Sequence, residues 1–186
     1  DIAQPLSAQG GAIVEVNAGP SLLMHLKPAE GKPRPVGKAI VDNLFPAGQT
    51  GRIPIVGICG SQGKSVLARL IGHILGLTGQ HVGVACSDGL FYDRRQVQKS
   101  DAANWTAGHR LLMNRAADAA IIENGTRSIL TEGLAYDRCQ VGVITGLDAS
   151  ECYPDLYVET PEQIDKVVRT QVDVVLDHGA AVLNAA

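Results

Sequence analysis

The chain has 186 residues, enough for one domain of ordinary size, and 45% of them are hydrophobic against only 4% aromatic, so any core must be built from Ala, Val, Ile and Leu. Sixteen Lys and Arg against nineteen Asp and Glu leave a net charge of -3, which gives no global attraction to nucleic acid or to an anionic membrane. No apolar run reaches the roughly 18 residues of a membrane span, and no signal peptide opens the chain, so the expected setting is the cytoplasm.

The first residue is Asp1, and Val182 to Ala186 reads like the end of a strand; both ends are expected to be cut rather than natural. Residues 1–26 mix Gly with a short apolar strand, Ala12-Ile13-Val14. Residues 27–53 are rich in Pro and Gly and read as a linker holding at most one short helix near Gly37 to Phe45. From residue 54 onward strands and helices alternate. Ile53 to Ile58 is an apolar run ending at glycine, and Leu67, Leu70, Ile71, Ile74 and Leu75 follow amphipathic helical spacing. Gly79 stops that helix, and Gln80 to Val84 reads as the next strand. A helix is predicted over 102–116, then strands at Ala119 to Ile122 and Val141 to Ile144. Thr160-Pro161-Glu162-Gln163 fits a capping box with proline at the first helical position, and Val182-Leu183 would begin one more strand. Such alternation predicts an α/β domain with a mostly parallel sheet flanked by helices.

Gly57-Ile58-Cys59-Gly60-Ser61-Gln62-Gly63-Lys64-Ser65 follows a strand and opens a helix. It departs from G-x-x-x-x-G-K-[ST], because Ile58 stands at the first glycine, but fits G-x-x-G-x-x-G-K-[ST]. Glycines let backbone N–H groups turn toward a phosphate, and the helix N-terminus adds unsatisfied donors. Lys64 is placed to neutralise the β- and γ-phosphates of ATP, and the Ser65 hydroxyl to bind Mg²⁺. Glu123 ends an apolar strand, where phosphate-loop enzymes hold Mg²⁺ directly or through water.

These residues carry a family resemblance. Gly60 to Ser65 resembles the loop of the muramyl ligases, ATP-dependent amide-forming ligases that activate a carboxylate as an acyl phosphate. Longer strings make the whole chain resemble the cyanophycin synthetase branch: Val14-Glu15-Val16-Asn17-Ala18-Gly19-Pro20, Leu22 to Pro28, Cys86-Ser87-Asp88-Gly89-Leu90, Leu112 to Arg115, Gly133 to Gln140 and Arg169 to Asp173. The resemblance implies that residues 1–26 are the tail of an ATP-grasp domain, with Glu15 and Asn17 as a metal pair, and that 54–186 are the first part of a truncated P-loop NTPase-type ligase domain. Ser65, Glu123 and Ser87 would serve the metal. The implied reaction joins arginine to aspartate β-carboxylates of the growing cyanophycin polymer, while the ATP-grasp site adds aspartate. A homo-oligomer is implied as well, with neither nucleic acid nor membrane as partner.

Three positions depart from the family pattern: Cys59 for threonine, Gly146 for asparagine and Cys152 for a histidine that serves a second metal. A thiol is a poor Mg²⁺ ligand, so Gly146 and Cys152 argue for a weakened or lost arginine-adding site, whereas the intact Lys64, Ser65 and Glu123 argue for the working ligase, which is the expected reading. The alternative is therefore a ligase-like module kept for structure or nucleotide binding beside an active ATP-grasp domain. The other readings are plainer. The cysteines (59, 86, 139, 152) are expected to be reduced, and the five histidines to fill surface or core roles. Trp105 is expected to pack its helix on the sheet, and Arg94-Arg95 and the acidic stretch after Asp148 to be solvated loops.

Overall fold

A computed structural model of the chain describes residues 6–9, 16–45, 47–148 and 150–184. It divides into two compact units, residues 1–52 and 53–186. Among its described residues the first unit contains three helices, α1 (Leu6–Gln9), α2 (Leu23–Leu26) and α3 (Val36–Leu44). α3 matches the short helix expected near Gly37, and its Lys38 and Asp42 form an exposed ion pair. The expected strand Ala12 to Val14 lies outside the described residues.

The second unit is a seven-stranded sheet with helices on both faces. In chain order it runs β1 (Ile55–Cys59), α4 (Lys64–Gly76), β2 (Val82–Cys86), β3 (Gly89–Tyr92), β4 (Arg95–Gln98), α5 (Trp105–Leu112), β5 (Ala119–Glu123), α6 (Thr126–Thr131), β6 (Cys139–Ile144), α7 (Pro161–Asp173) and β7 (Val175–Leu183). The strand order is β4-β3-β2-β5-β1-β6-β7. β1 pairs with β5 and β6, β2 with β5, and β6 with β7, all in parallel; β3 and β4 add an antiparallel edge. The mostly parallel α/β sheet is as expected. Its inner strands are buried on both faces, which is why β2 and β5 read as continuous apolar runs rather than alternating ones.

The period of two sorts their side chains onto two layers. Val56, Ile58, Val82, Val84 and Ile121 meet Leu67, Ala68, Ile71 and Leu75 of α4 on one face. Ile55, Ala85, Ala120 and Ile122 meet Ala107 and Leu111 of α5 on the other. There Cys59 also packs with Ile129 of α6 and with Ile164 and Val168 of α7.

The structure corrects several local expectations. Only part of the α4 stripe is buried: Leu70 and Ile74 stay about half exposed, at 51% and 52%. α5 begins three residues later than the predicted start at 102, because the Asn104 side chain accepts from the Ala107 N–H and caps it there. Trp105 does not pack on the sheet; it is exposed and stacks on His109, with ring centroids 4.6 Å apart. Arg95 opens β4 rather than lying in a loop, and the turn before it is set by Asp93 in the left-handed region (φ 54°), its carboxylate accepting from the Val82 N–H at 2.9 Å. α7 carries the expected capping box between Thr160 and Gln163. Val182 and Leu183 end β7 rather than begin it. No helix among the described residues is long and apolar enough to cross a membrane.

α5 packs directly over Gly83 of β2: a Cβ there would lie 2.7 Å from Leu111 Cγ. Gly83→Ala is therefore expected to cost about 1–3 kcal/mol through overpacking, read as a lower urea midpoint with an unchanged slope.

Candidate functional site

β1 runs into the loop at Gly60, where φ is 122°, and the loop turns into α4 through Gly63, a left-handed N-cap with φ 77° and open space around its Cα. Only glycine adopts such angles at little cost, so both positions shape the cradle. Gly57 does not. A Cβ on it would lie 2.0 Å from the Tyr136 hydroxyl, so this glycine makes room for a buried side chain rather than for a phosphate.

At and beyond the ends of β1, β2 and β5 four predicted residues converge. Glu123 is 2% exposed. Its Oε2 accepts from the Ser65 hydroxyl at 2.7 Å and from the Ser87 N–H at 2.9 Å. Its Oε1 accepts from the Ser87 hydroxyl at 2.9 Å, with Lys64 Nζ 3.9 Å away. Lys64 Nζ also donates to the Ser61 carbonyl at 3.4 Å. A buried carboxylate is stable only when paired or hydrogen-bonded, and here both oxygens are served. Ser65 donates its hydroxyl hydrogen bond to Glu123 and keeps its oxygen lone pairs for another partner. Hydroxyl and carboxylate oxygens are hard donors of the kind Mg²⁺ selects, so the donor set fits that ion.

Gly60, Ser61, Gln62, Lys64, Ser87 and Glu123 all line one open cleft of about 560 Å³. A second part of the wall was not expected from the sequence. It is formed by Thr126 and Arg127 of α6 and by Asp148, Glu151 and Tyr153 of the segment after β6. That segment is tied to the loop: the Ser61 N–H donates to the Gly146 carbonyl at 2.7 Å, the Asp148 N–H to the Ser61 hydroxyl at 2.9 Å, and the Ser61 hydroxyl to Glu151. Glu151 is thus no member of a solvated loop. Burial pushes its carboxyl up, but hydrogen bonds from Ser61 and Tyr153 and the nearby Lys64 charge outweigh that, and it sits below the ordinary glutamate range. Burial, and then its bond to Glu151, push the Tyr153 phenol up to about 12. The buried Thr126 hydroxyl stands beside both without a completed hydrogen bond. Arg127 pairs with Asp155 and lies over the Tyr153 ring at 5.8 Å. Polar residues in an irregular stretch gave no periodic signal that could have marked this wall.

All four cysteines are free, and three of them are buried. Burial raises the Cys59 thiol to about 12, so it packs as a neutral group, donating to the Val168 carbonyl. Cys152 is exposed. Glu15 lies outside the described residues, and Asn17 is exposed in the first unit. No group of three or more His, Cys, Asp or Glu arranged to hold a metal is found among the described residues.

Over its full length the chain is similar to cyanophycin synthetases. It is 38% identical over 186 residues to the enzymes of Synechocystis sp. and Geminocystis herdmanii, and 36% identical to that of Trichormus variabilis. The chain spans only about a fifth of their length, 20–21%. No protein-family model matches it. Among solved structures it is similar in fold to a UDP-N-acetylmuramoyl-L-alanyl-D-glutamate–2,6-diaminopimelate ligase, with a TM-score of 0.60 at 17% identity over 80% of this chain and 29% of that one. The muramyl-ligase type of fold expected from the sequence is therefore the observed one, and the cyanophycin synthetase likeness runs through both compact units.

The Glu151 carboxyl gives the site a pH signature. Because its folded value lies below the unfolded one, its contribution to stability is complete above the ordinary glutamate range and is lost as pH falls through the folded value. Thermal midpoints measured from neutral pH downward are expected to fall more steeply across that acid window in the wild type than in Glu151→Gln. Parallel curves would remove Glu151 from the account.

Proposed function

We propose that this chain is the nucleotide-binding part of an ATP-dependent amide ligase of the cyanophycin synthetase kind. One observation carries the reading: Ser65 and Ser87 both donate to the buried Glu123 beside Lys64, at the mouth of a phosphate-type loop. In the reaction we assign, an oxygen of an aspartate β-carboxylate attacks the γ-phosphorus of ATP. The bond to the β-phosphate oxygen breaks, and ADP leaves. The amine of arginine then attacks the acyl phosphate carbonyl, the carbon–oxygen bond to phosphate breaks, phosphate departs with the proton lost by the nitrogen, and an isopeptide bond remains.

Backbone N–H groups of the loop and the Lys64 ammonium cradle the phosphates and offset the charge that develops on the transferring group. Ser65 and Glu123 would hold Mg²⁺, with Ser87 orienting the carboxylate; the ion would supply neutralisation of the charge that develops during transfer. Glu15 and Asn17 would serve a metal of the ATP-grasp site that adds aspartate. We also assign residues 1–26 to that domain's tail, 27–53 to a linker and 54–186 to the ligase domain, in a cytoplasmic homo-oligomeric enzyme.

A second reading, a nucleotide-binding module with weakened chemistry, draws on Cys152. Cys152 follows Glu151 in the chain and is exposed, at a position where the resemblance implies a metal-binding imidazole, and a thiol serves Mg²⁺ poorly.

One experiment separates the two. The protein in its full natural length is given Mg-ATP, arginine and a primer ending in a free aspartate β-carboxylate. ADP release that depends on arginine and falls at least about a hundredfold in Lys64→Ala supports the working ligase, since removal of one charge-stabilising donor costs on that order. ATP binding without arginine-dependent release, with aspartate addition intact, supports the module.

A further inference from the structure

On the far side of β5 from Ser65 lies a polar cluster that the proposed chemistry does not use. Asn124 is 6% exposed, Tyr136 8% and Gln171 0%. Asn124 Nδ2 donates to the Tyr136 hydroxyl and to Gln171 Oε1, each at 2.8 Å, and the Tyr136 hydroxyl donates to the same Oε1 at 2.8 Å. Gln171 Nε2 reaches Cys139 Sγ at 3.5 Å. Three segments meet in this triangle: the end of β5, the stretch before β6, and α7.

Such a cluster is costly to bury, and an apolar replacement of similar shape is often neutral or stabilising. What it supplies is direction. Glu123 and Asn124 are successive residues at a strand end, so they point to opposite faces of the sheet. Glu123 turns to the Ser65 side and Asn124 to the α7 side. The Asn124 N–H donates to the Ile58 carbonyl at 2.8 Å, which ties the same strand end to β1 just before the loop. Gly57, next to Ile58, lacks the Cβ that would collide with both Tyr136 and Gln171.

We propose that Asn124, Tyr136 and Gln171 are positioning residues that fix the orientation of the Glu123 carboxylate toward Ser65 and Ser87, so that α7 sets the geometry of the cation site from behind the sheet. This rests on Glu123 serving a divalent cation, as proposed above. Residues that orient a metal-site carboxylate from outside typically change metal affinity by about 10–100-fold when replaced.

The test uses the full chain and two variants, Gln171→Leu and Tyr136→Phe. ATP binding is titrated without divalent cation and again across a range of Mg²⁺, and unfolding midpoints are taken alongside. The expected result is a rise of about tenfold in the Mg²⁺ needed for half-maximal enhancement of ATP binding in Gln171→Leu, with cation-free ATP affinity unchanged. Tyr136→Phe, which removes one hydroxyl, moves the same quantity in the same direction by less, and it carries the comparison alone if Gln171→Leu does not fold. A lowered midpoint with an unchanged Mg²⁺ requirement overturns the proposal and leaves the cluster as core filling. A wild-type chain that binds no nucleotide defeats the ligase reading by itself. Amide hydrogen exchange then decides the clamp: faster exchange confined to Glu123 and Asn124 in Gln171→Leu supports it, and an equal change along β1 and β5 overturns it.

Discussion

The structure around the cleft is governed by one constraint, the burial of the Glu123 carboxylate at 2% exposure. An ionised carboxylate removed from water must be met by donors on both oxygens, or it will neutralise or unfold its surroundings. The donors come from two other places in the chain: Ser65 on the first turn of α4, and the hydroxyl and N–H of Ser87 just after β2. The end of β5 is therefore bound to the segments that follow β1 and β2. These are neighbouring strands of the parallel sheet, so all three chain ends open on the same edge. Ligands bind at that edge in open α/β sheets, because it is where loops and helix N-termini gather.

Glycine explains how the backbone approaches so closely. In the motif as read from the sequence, Gly57, Gly60 and Gly63 share one job. They do three. Gly63 takes a left-handed angle at the helix start, and Gly60 combines a positive φ with a close approach to Thr145 and Gly146. Gly57 keeps its place for Tyr136 and Gln171. The first glycine of the pattern thus reports on packing behind the sheet, which accounts for its distance from the cradle.

How much was legible in the sequence follows from the range of the interactions. β1, α4, β5 and Glu123 were readable because local periodicity and a fixed spacing from Gly60 to Ser65 define them. α7 was readable from Thr160-Pro161-Glu162-Gln163, since a cap is a local hydrogen-bond pattern. The β3–β4 edge was not: its strands are four residues each, and its turn relies on Asp93 rather than on glycine to enter the left-handed region. α6 is six residues long and has no side-chain cap. Glu151 was the largest miss in the site, because its environment is made by Ser61, which is 90 residues away. A polar string looks solvated until the fold supplies donors for it.

The charges of the cleft show why its two walls belong together. Glu123 and Asp101 lie on the lining with Asp148 and Glu151, against only Lys64 and Arg127, and Arg127 is already paired with Asp155. Lys64, 16% exposed, therefore stands between carboxylates of both walls. A bare polyanion entering this space meets more negative charge than positive. A triphosphate accompanied by a divalent cation brings less repulsion, and the hard oxygens of Ser65 and Glu123 then have a partner that suits them. On the proposed reading, this balance of charge would make the loop by itself only half of a phosphate site, and the carboxylates around it would make the cation part of recognition rather than an accessory to it.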